Sequence, residues 1–297
     1  MKKRLFTGVG TALVTPMTEQ GVDYETFERL IEWQIEESVD ALIIAGTSGE
    51  GSTLSDREHK DVVKFAVDQV NGRVPVIAGT GSNDTAYGLQ LTRACCEYGA
   101  DGVLVVTPYY NKATQEGLVK LYNEYADAAT APVILYNVPS RTGVNIAPET
   151  YVRLAEHENI VAVKEASGNI SQITDMMART KGQLDLYSGN DDQIVPLLSV
   201  GGIGVISVLS NVLPRQTHDM VMAYLNGDVD TARDMQLQYN DLIQSLFCEV
   251  NPIPVKAATA YIGFGENYVR SPLYPMEGAN LERLLNSMRN VGIEIKR

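Results

Sequence analysis

Short apolar runs punctuate the chain, and a helical pattern follows almost every one. The runs fall at Gly8–Val14, Ala41–Ala45, Val74–Gly79, Gly102–Thr107, Pro132–Val138, Ile160–Lys164, Leu184–Ser188 and Ile203–Val208. Most are continuous in Val, Ile, Leu and Ala instead of alternating with polar residues, the pattern of parallel strands covered on both faces. Between them apolar residues recur at three- and four-residue spacing. Phe27, Leu30, Ile31, Gln34 and Ile35 define one helical face, and Val62, Val63, Phe65, Ala66 and Val70 another. Ser55 ahead of Asp56-Arg57-Glu58, the pair Asn83-Asp84, and Pro148 ahead of Glu149-Thr150 supply helix starts. Eight strand–helix alternations fit a (β/α)8 barrel or a doubly wound sheet. The barrel is favoured because the eight units end near residue 225 with no second set of strand signals. From about residue 213 to 297 the pattern is helical, broken at Gly227-Asp228, Asn251–Pro254 and Tyr268–Pro275. The expected class is α/β: a (β/α)8 TIM barrel over residues 1–225 and a small C-terminal helical extension over 226–297. No low-complexity linker separates them, so the extension is expected to pack on the barrel.

Composition narrows the function classes. Of 297 residues, 44% are hydrophobic and 21% charged, enough for a large core without disulfides or metal. Lys plus Arg number 24 against 37 Asp plus Glu, a net charge of −13 that argues against nucleic-acid or anionic-membrane binding, since phosphates need clustered cations. Anionic small substrates need only one local cationic pocket. Cys95, Cys96 and Cys248 read as reduced, buried thiols. The basic start Met1-Lys2-Lys3-Arg4 resembles a signal peptide, but Gly10, Thr11 and Pro16 interrupt the adjoining apolar stretch, and a first barrel strand explains it better. No apolar run approaches the roughly 18–20 residues of a membrane span, so a cytoplasmic protein is expected.

In a barrel of this kind, reactive groups come from the C-terminal ends of strands and the loops after them. The sixth run ends in Val163-Lys164-Glu165-Ala166. A lysine among aliphatics is costly unless paired or neutral, and a neutral amine is a nucleophile toward a ketone. A structural salt bridge with Glu165, or a snorkelling side chain, fits this segment equally well, although strand neighbours face opposite sides. The fifth run ends in Tyr136-Asn137-Val138-Pro139-Ser140-Arg141-Thr142-Gly143. Tyr136 there is either a core aromatic with a satisfied hydroxyl or a proton shuttle. Arg141 is either a solvated loop residue or a two-pronged carboxylate grip. After the second run comes Gly46-Thr47-Ser48-Gly49-Glu50, with glycines and hydroxyls suited to a small carboxylate or simply to a strand–helix turn. It lacks the patterns of a serine nucleophile elbow and of a phosphate loop. Thr107-Pro108-Tyr109-Tyr110 follows the fourth run, where two aromatics suit a subunit contact. The three histidines, His59, His157 and His218, are scattered without ligand spacing, and no metal is expected. Asp191-Asp192 fits helix N-terminal acids better than a divalent-ion site.

Taken in order along nearly the whole chain, these motifs closely resemble the dihydrodipicolinate synthase family, within the N-acetylneuraminate lyase superfamily of class I aldolases. The resemblance implies a lyase in lysine and diaminopimelate biosynthesis that condenses pyruvate with L-aspartate 4-semialdehyde, through a lysine Schiff base, to 4-hydroxy-tetrahydrodipicolinate. It implies that Lys164 forms the imine, while Tyr136, Thr47 and a Tyr110 donated by a neighbouring subunit relay protons. Ser48 joins Thr47 on the pyruvate carboxylate, Gly189 and Ile206 line the pocket, and Arg141 receives the carboxylate of the semialdehyde. No metal or organic cofactor is implied, and the partners are small molecules plus further copies of the chain, as a tetramer of two tight dimers. An alternative is a pyruvate-dependent aldolase acting on another aldehyde, such as a sugar-acid lyase. Relatives of that kind lack the Ser140-Arg141-Thr142-Gly143 sequence, and a fixed guanidinium suits a short acid-bearing aldehyde. A catalytically silent acid-binding barrel is a third reading, against which a retained buried lysine speaks. Lysine-inhibited relatives use a dimer-interface pocket. At the matching positions this chain keeps Asn83, His59 and Tyr109 but has Asp56 for a histidine and Tyr87 for the acid that grips the inhibitor's ammonium. Weak or absent lysine feedback is expected.

Overall fold

A computed structural model describes residues 2–296. Eight parallel strands, β1 (Gly8–Ala12), β2 (Ala41–Ile44), β3 (Val76–Gly79), β4 (Gly102–Val106), β5 (Val133–Asn137), β6 (Ile160–Glu165), β7 (Asp185–Ser188) and β8 (Gly204–Ser207), pair in sequence order. The barrel closes where β8 pairs with β1, from Gly8 opposite Gly204 to Thr11 opposite Ser207. All eight expected runs contain a strand. Several runs outlast their ladders, because residues such as Leu13 and Val14 stay buried after strand pairing stops.

Alternation along each strand divides the core in two. Ala41 and Ile43 of β2, Ile134 and Tyr136 of β5, Ala162 of β6, Tyr187 of β7 and Ile206 of β8 belong to the interior cluster. Leu42, Ile44, Leu135 and Val163 belong instead to clusters shared with the surrounding helices. At the N-terminal end Phe6 stacks on Tyr187 with ring centroids 4.3 Å apart, closing the barrel from below.

The helices are α1 (Tyr24–Glu36), α2 (Asp56–Val70), α3 (Thr85–Glu97), α4 (Gln115–Ala128), α5 (Pro148–Leu154), α6 (Ile170–Thr180), α7 (Ile194–Ser199) and α8 (Pro214–Leu225). Ser55 and Glu58 form a reciprocal capping box on α2, Asp84 caps α3, and Pro148 occupies the first turn of α5. Two small elements escape the periodic reading. Met17–Thr18 and Gly21–Val22 form a two-stranded ribbon, and Pro139–Thr142 forms one helical turn bounded by Pro139 and the left-handed Gly143. Both are too short to show a period.

Beyond α8 lie α9 (Val229–Gln238), α10 (Asn240–Ser245), α11 (Ile253–Tyr261) and α12 (Gly278–Asn290). These helices share a core with the barrel, since Val255, Leu284 and Met288 fall in the same buried cluster as Val9, Leu42 and Val205. From Ile253 to Ala260, α11 is buried at every position. Among the described residues no helix is long and apolar enough to cross a membrane.

Asp40, on the approach to β2, holds the first strand to the last barrel helix. Its Oδ2 accepts from the Val9 N–H at 2.7 Å and from Nδ1 of His218 on α8 at 2.9 Å. That hydrogen bond raises the His218 pKa above the ordinary 6.5. A raised folded-state value stabilises fully below the unfolded pKa and fades as pH climbs through the folded one. The stability lost in His218→Gln should therefore be largest near about pH 5 and shrink toward about pH 9, read from urea midpoints of parent and variant. An equal loss at both ends would refute this role for the pair.

Candidate active site

Lys164 is the penultimate residue of β6, in register with Tyr136 of β5 and Tyr187 of β7. It is 5% exposed, and its Nζ lies 4.4 Å from the centroid of the Tyr136 ring. The alternative pairing with Glu165 is excluded by geometry. Glu165 faces the helices, where its carboxylate accepts from Asn137 Nδ2 at 3.1 Å, the Tyr151 hydroxyl at 2.8 Å and the Ser167 N–H at 2.8 Å. Burial pushes the Glu165 pKa up, against the lowering effect of those donors.

The Lys164 side chain enters a cavity of about 540 Å³ at the C-terminal ends of the strands. Thr47, Ser48, Tyr136, Arg141 and Gly189 line the same cavity. Thr47 and Ser48 arrive on the turn after β2, and the Ser48 Oγ accepts from Asn251 Nδ2 at 3.1 Å. Arg141 arrives on the helical turn after β5, where its Nη2 donates to the Asn251 carbonyl at 3.2 Å. A Thr107–Thr142 hydroxyl bond of 2.9 Å ties that turn to the end of β4. Gly189, just past β7, gives its N–H to the Glu165 carbonyl at 2.8 Å.

Two expected residues lie elsewhere. Ile206 shares the inward parity of Tyr136 and is fully buried in the same interior cluster, but its side chain is covered by that packing and is not part of the cavity lining. Tyr110 is 89% exposed on a left-handed backbone at φ 66° that carries it out of its own barrel. Within one chain it does not meet Tyr136.

Gly51, His59, Tyr87, Leu91 and Tyr109 also line the cavity. The His59 Nε2 sits 2.8 Å from the Gly79 carbonyl, and burial lowers its pKa. Asp56 nearby is paired with Lys60 at 2.8 Å.

Sequence reasoning missed Asn251, which bridges Ser48 and Arg141 from the C-terminal extension. Its only signal was the break at Asn251–Pro254. The same reasoning left Asp191 between two roles, and the structure gives it the structural one. Its Oδ2 accepts the Val208 and Leu209 N–H groups at 2.9 Å each. Among the described residues no cluster of three or more His, Cys, Asp or Glu could hold a metal ion. All three cysteines are free, and burial pushes the Cys95 thiol up to about 12, an inert structural thiol.

Comparison with known proteins agrees over nearly the full length. The model of the dihydrodipicolinate synthetase family matches residues 5–290. A 4-hydroxy-tetrahydrodipicolinate synthase of Caldicellulosiruptor bescii is 52% identical over 293 residues, covering 98% of this chain and 99% of that one. The crystal structure of dihydrodipicolinate synthase from Aquifex aeolicus superposes with a TM-score of 0.96 at 42% identity, covering 98% and 100% of the two chains. The enzyme from Cyanidioschyzon merolae with lysine bound gives 0.95 at 39% identity, covering 98% and 100%.

Gly189 borders the stem of the lysine. A Cβ there would lie 3.1 Å from Lys164 Cγ and 2.7 Å from the Ala166 Cβ. Gly189→Ala should displace the amine and slow Lys164-dependent turnover on the order of 10²-fold, the scale expected for an ångström of misplacement. Unchanged turnover in steady-state assays would show that the lysine side chain tolerates the shift.

Proposed function

The chain belongs to the dihydrodipicolinate synthetase family, and from that membership we propose how its own residues condense pyruvate with L-aspartate 4-semialdehyde. The reading is carried by one observation: Lys164 is buried at a strand end, inside the cavity, with its neighbour Glu165 turned away to other partners.

Pyruvate enters with its carboxylate on the Thr47 and Ser48 hydroxyls and its ketone toward Lys164. Nζ adds to the ketone carbon to form a carbinolamine, and loss of water gives the iminium. The Tyr136 hydroxyl, on the ring whose face the amine overlies, carries protons to and from the carbinolamine oxygen through Thr47. Removal of a methyl proton from the iminium yields an enamine, whose carbon attacks the aldehyde of the second substrate. Arg141 receives the carboxylate of that substrate with its planar guanidinium, which favours an acid-bearing aldehyde over a polyhydroxylated one. The amino group of the bound semialdehyde then attacks the imine carbon, closes the ring and releases Lys164, giving 4-hydroxy-tetrahydrodipicolinate.

Completing the relay assigns Tyr110 to a neighbouring subunit. Its exposure, and its distance from the interior of its own barrel, support an active unit of at least two chains, and we assign a tetramer of two dimers. Ile206 serves by packing beneath the site with Tyr136.

Reduction with borohydride in the presence of labelled pyruvate, followed by peptide mapping, tests the mechanism. The label should sit on Lys164, and a label on any other lysine would overturn the assignment.

The lining residues Tyr87 and His59 and the neighbouring Asp56 generate a second prediction. Tyr87 supplies no charge for an inhibitor's ammonium, and Asp56 is already paired with Lys60. A missing charged partner is worth about 1.5–3 kcal/mol. Activity should stay flat through micromolar lysine in an inhibition titration, and a steep fall there would refute the reading.

A further inference from the structure

The turn that carries Thr47 and Ser48 is held in an unusual shape. Glu50, four residues past Gly46, adopts a left-handed backbone at φ 55°, which disfavours any residue with a Cβ. Gly49 leaves little room for a side chain, since a Cβ would lie 3.1 Å from the Ala45 backbone and from the Leu13 carbonyl oxygen. The Glu50 N–H donates to the Thr47 carbonyl at 3.2 Å, and Gly51 N–H to Gly46 at 3.1 Å. A turn this strained persists only when its surroundings over-determine it.

The constraint comes from the far end of the chain. Glu50 is 2% exposed, and its Oε1 lies 2.5 Å from Nζ of Lys256, itself 2% exposed on α11. The Glu50 Oε2 accepts the Arg270 N–H at 2.9 Å. The Arg270 guanidinium donates to the Thr53 carbonyl at 3.0 Å and to Glu58 Oε2 at 2.8 Å, on the residue that caps α2. Lys256 does not line the cavity, so it touches no substrate. Nor is such a pair explained by stability. Burying two charges costs about what their attraction returns, and a well-packed apolar pair is often as stable. What the pair supplies is direction: a carboxylate with defined donors fixes the turn in one conformation.

We propose that Lys256 is a positioning residue for the reaction, acting through Glu50 to hold Thr47 and Ser48 where they receive the substrate carboxylate. The proposal rests on the reading of Thr47 and Ser48 as the pyruvate carboxylate site. It assigns part of that site to the C-terminal extension.

Steady-state kinetics and urea unfolding of the parent, Lys256→Met, Glu50→Gln and the double variant Glu50→Gln/Lys256→Met separate positioning from packing. Lys256→Met leaves a buried carboxylate unpaired, so it should lose both stability and pyruvate affinity. The double variant carries no uncompensated charge and should recover most of the stability. Its KM for pyruvate should nevertheless remain raised by about tenfold, the scale of one hydrogen bond to a charged group, with kcat changed much less. KM does not depend on how much of a preparation is folded, so partial folding leaves the comparison intact. A stable double variant with the parent KM would overturn the proposal, as would a double variant that cannot be recovered folded, which would make the pair structural. Borohydride trapping on the parent keeps the two readings apart. Failure to label Lys164 there refutes the mechanism itself, whereas normal labelling with an unmoved KM refutes only the role of Lys256.

Discussion

Glu165 faces the helical layer, where Asn137, Tyr151 and Ser167 donate to its carboxylate, and this anchorage fixes the parity of β6. In a strand, neighbours point to opposite faces, so an outward Glu165 makes Lys164 point inward. A slip of one residue would send the amine into the helix layer and the carboxylate into the barrel. Register with β5 then brings Tyr136 beside the lysine, and register with β7 places Gly189 where it leaves the lysine room. The acid adjacent to Lys164 is thus its positional counterweight and not its ion-pair partner.

The opposite wall of the cavity is built by a different principle. The turn after β2 has no ladder to define it and takes its shape from contacts made by residues 251, 256 and 270. Asn251 joins this wall to Arg141 by giving its side chain to Ser48 and its carbonyl to the guanidinium. The turn of Thr47 and Ser48 and the turn of Arg141, brought in from different strands, meet at one residue of the extension.

The strands were legible in the sequence because parallel barrel strands are apolar on both faces and appear as unbroken runs. Lys164 was conspicuous for the same reason, a cation interrupting such a run, and Glu165 beside it left the choice of roles to geometry. Lys256 carries the same kind of signal inside Ile253–Tyr261 yet stayed inconspicuous, because a helix gives no parity rule to say where the side chain goes. Asn251 was hidden more thoroughly. A polar residue just ahead of two prolines reads as a helix break, and its partners stand more than a hundred residues away. Ile206 and Tyr110 show the limit of placing residues by motif: one is covered within the interior cluster, and the other stands exposed on a left-handed backbone.

The pairing of Glu50 with Lys256 spans 206 positions. Chains are made from the N-terminus, and early segments collapse before later ones exist. The turn after β2 is therefore translated long before the helix that gives it its shape, and the carboxylate must wait, hydrated, until α11 arrives. The shape of the turn that carries Thr47 and Ser48 is in this sense among the last things the chain acquires, and a ribosome-bound product lacking α11 would hold Lys164 without the contact between Glu50 and Lys256.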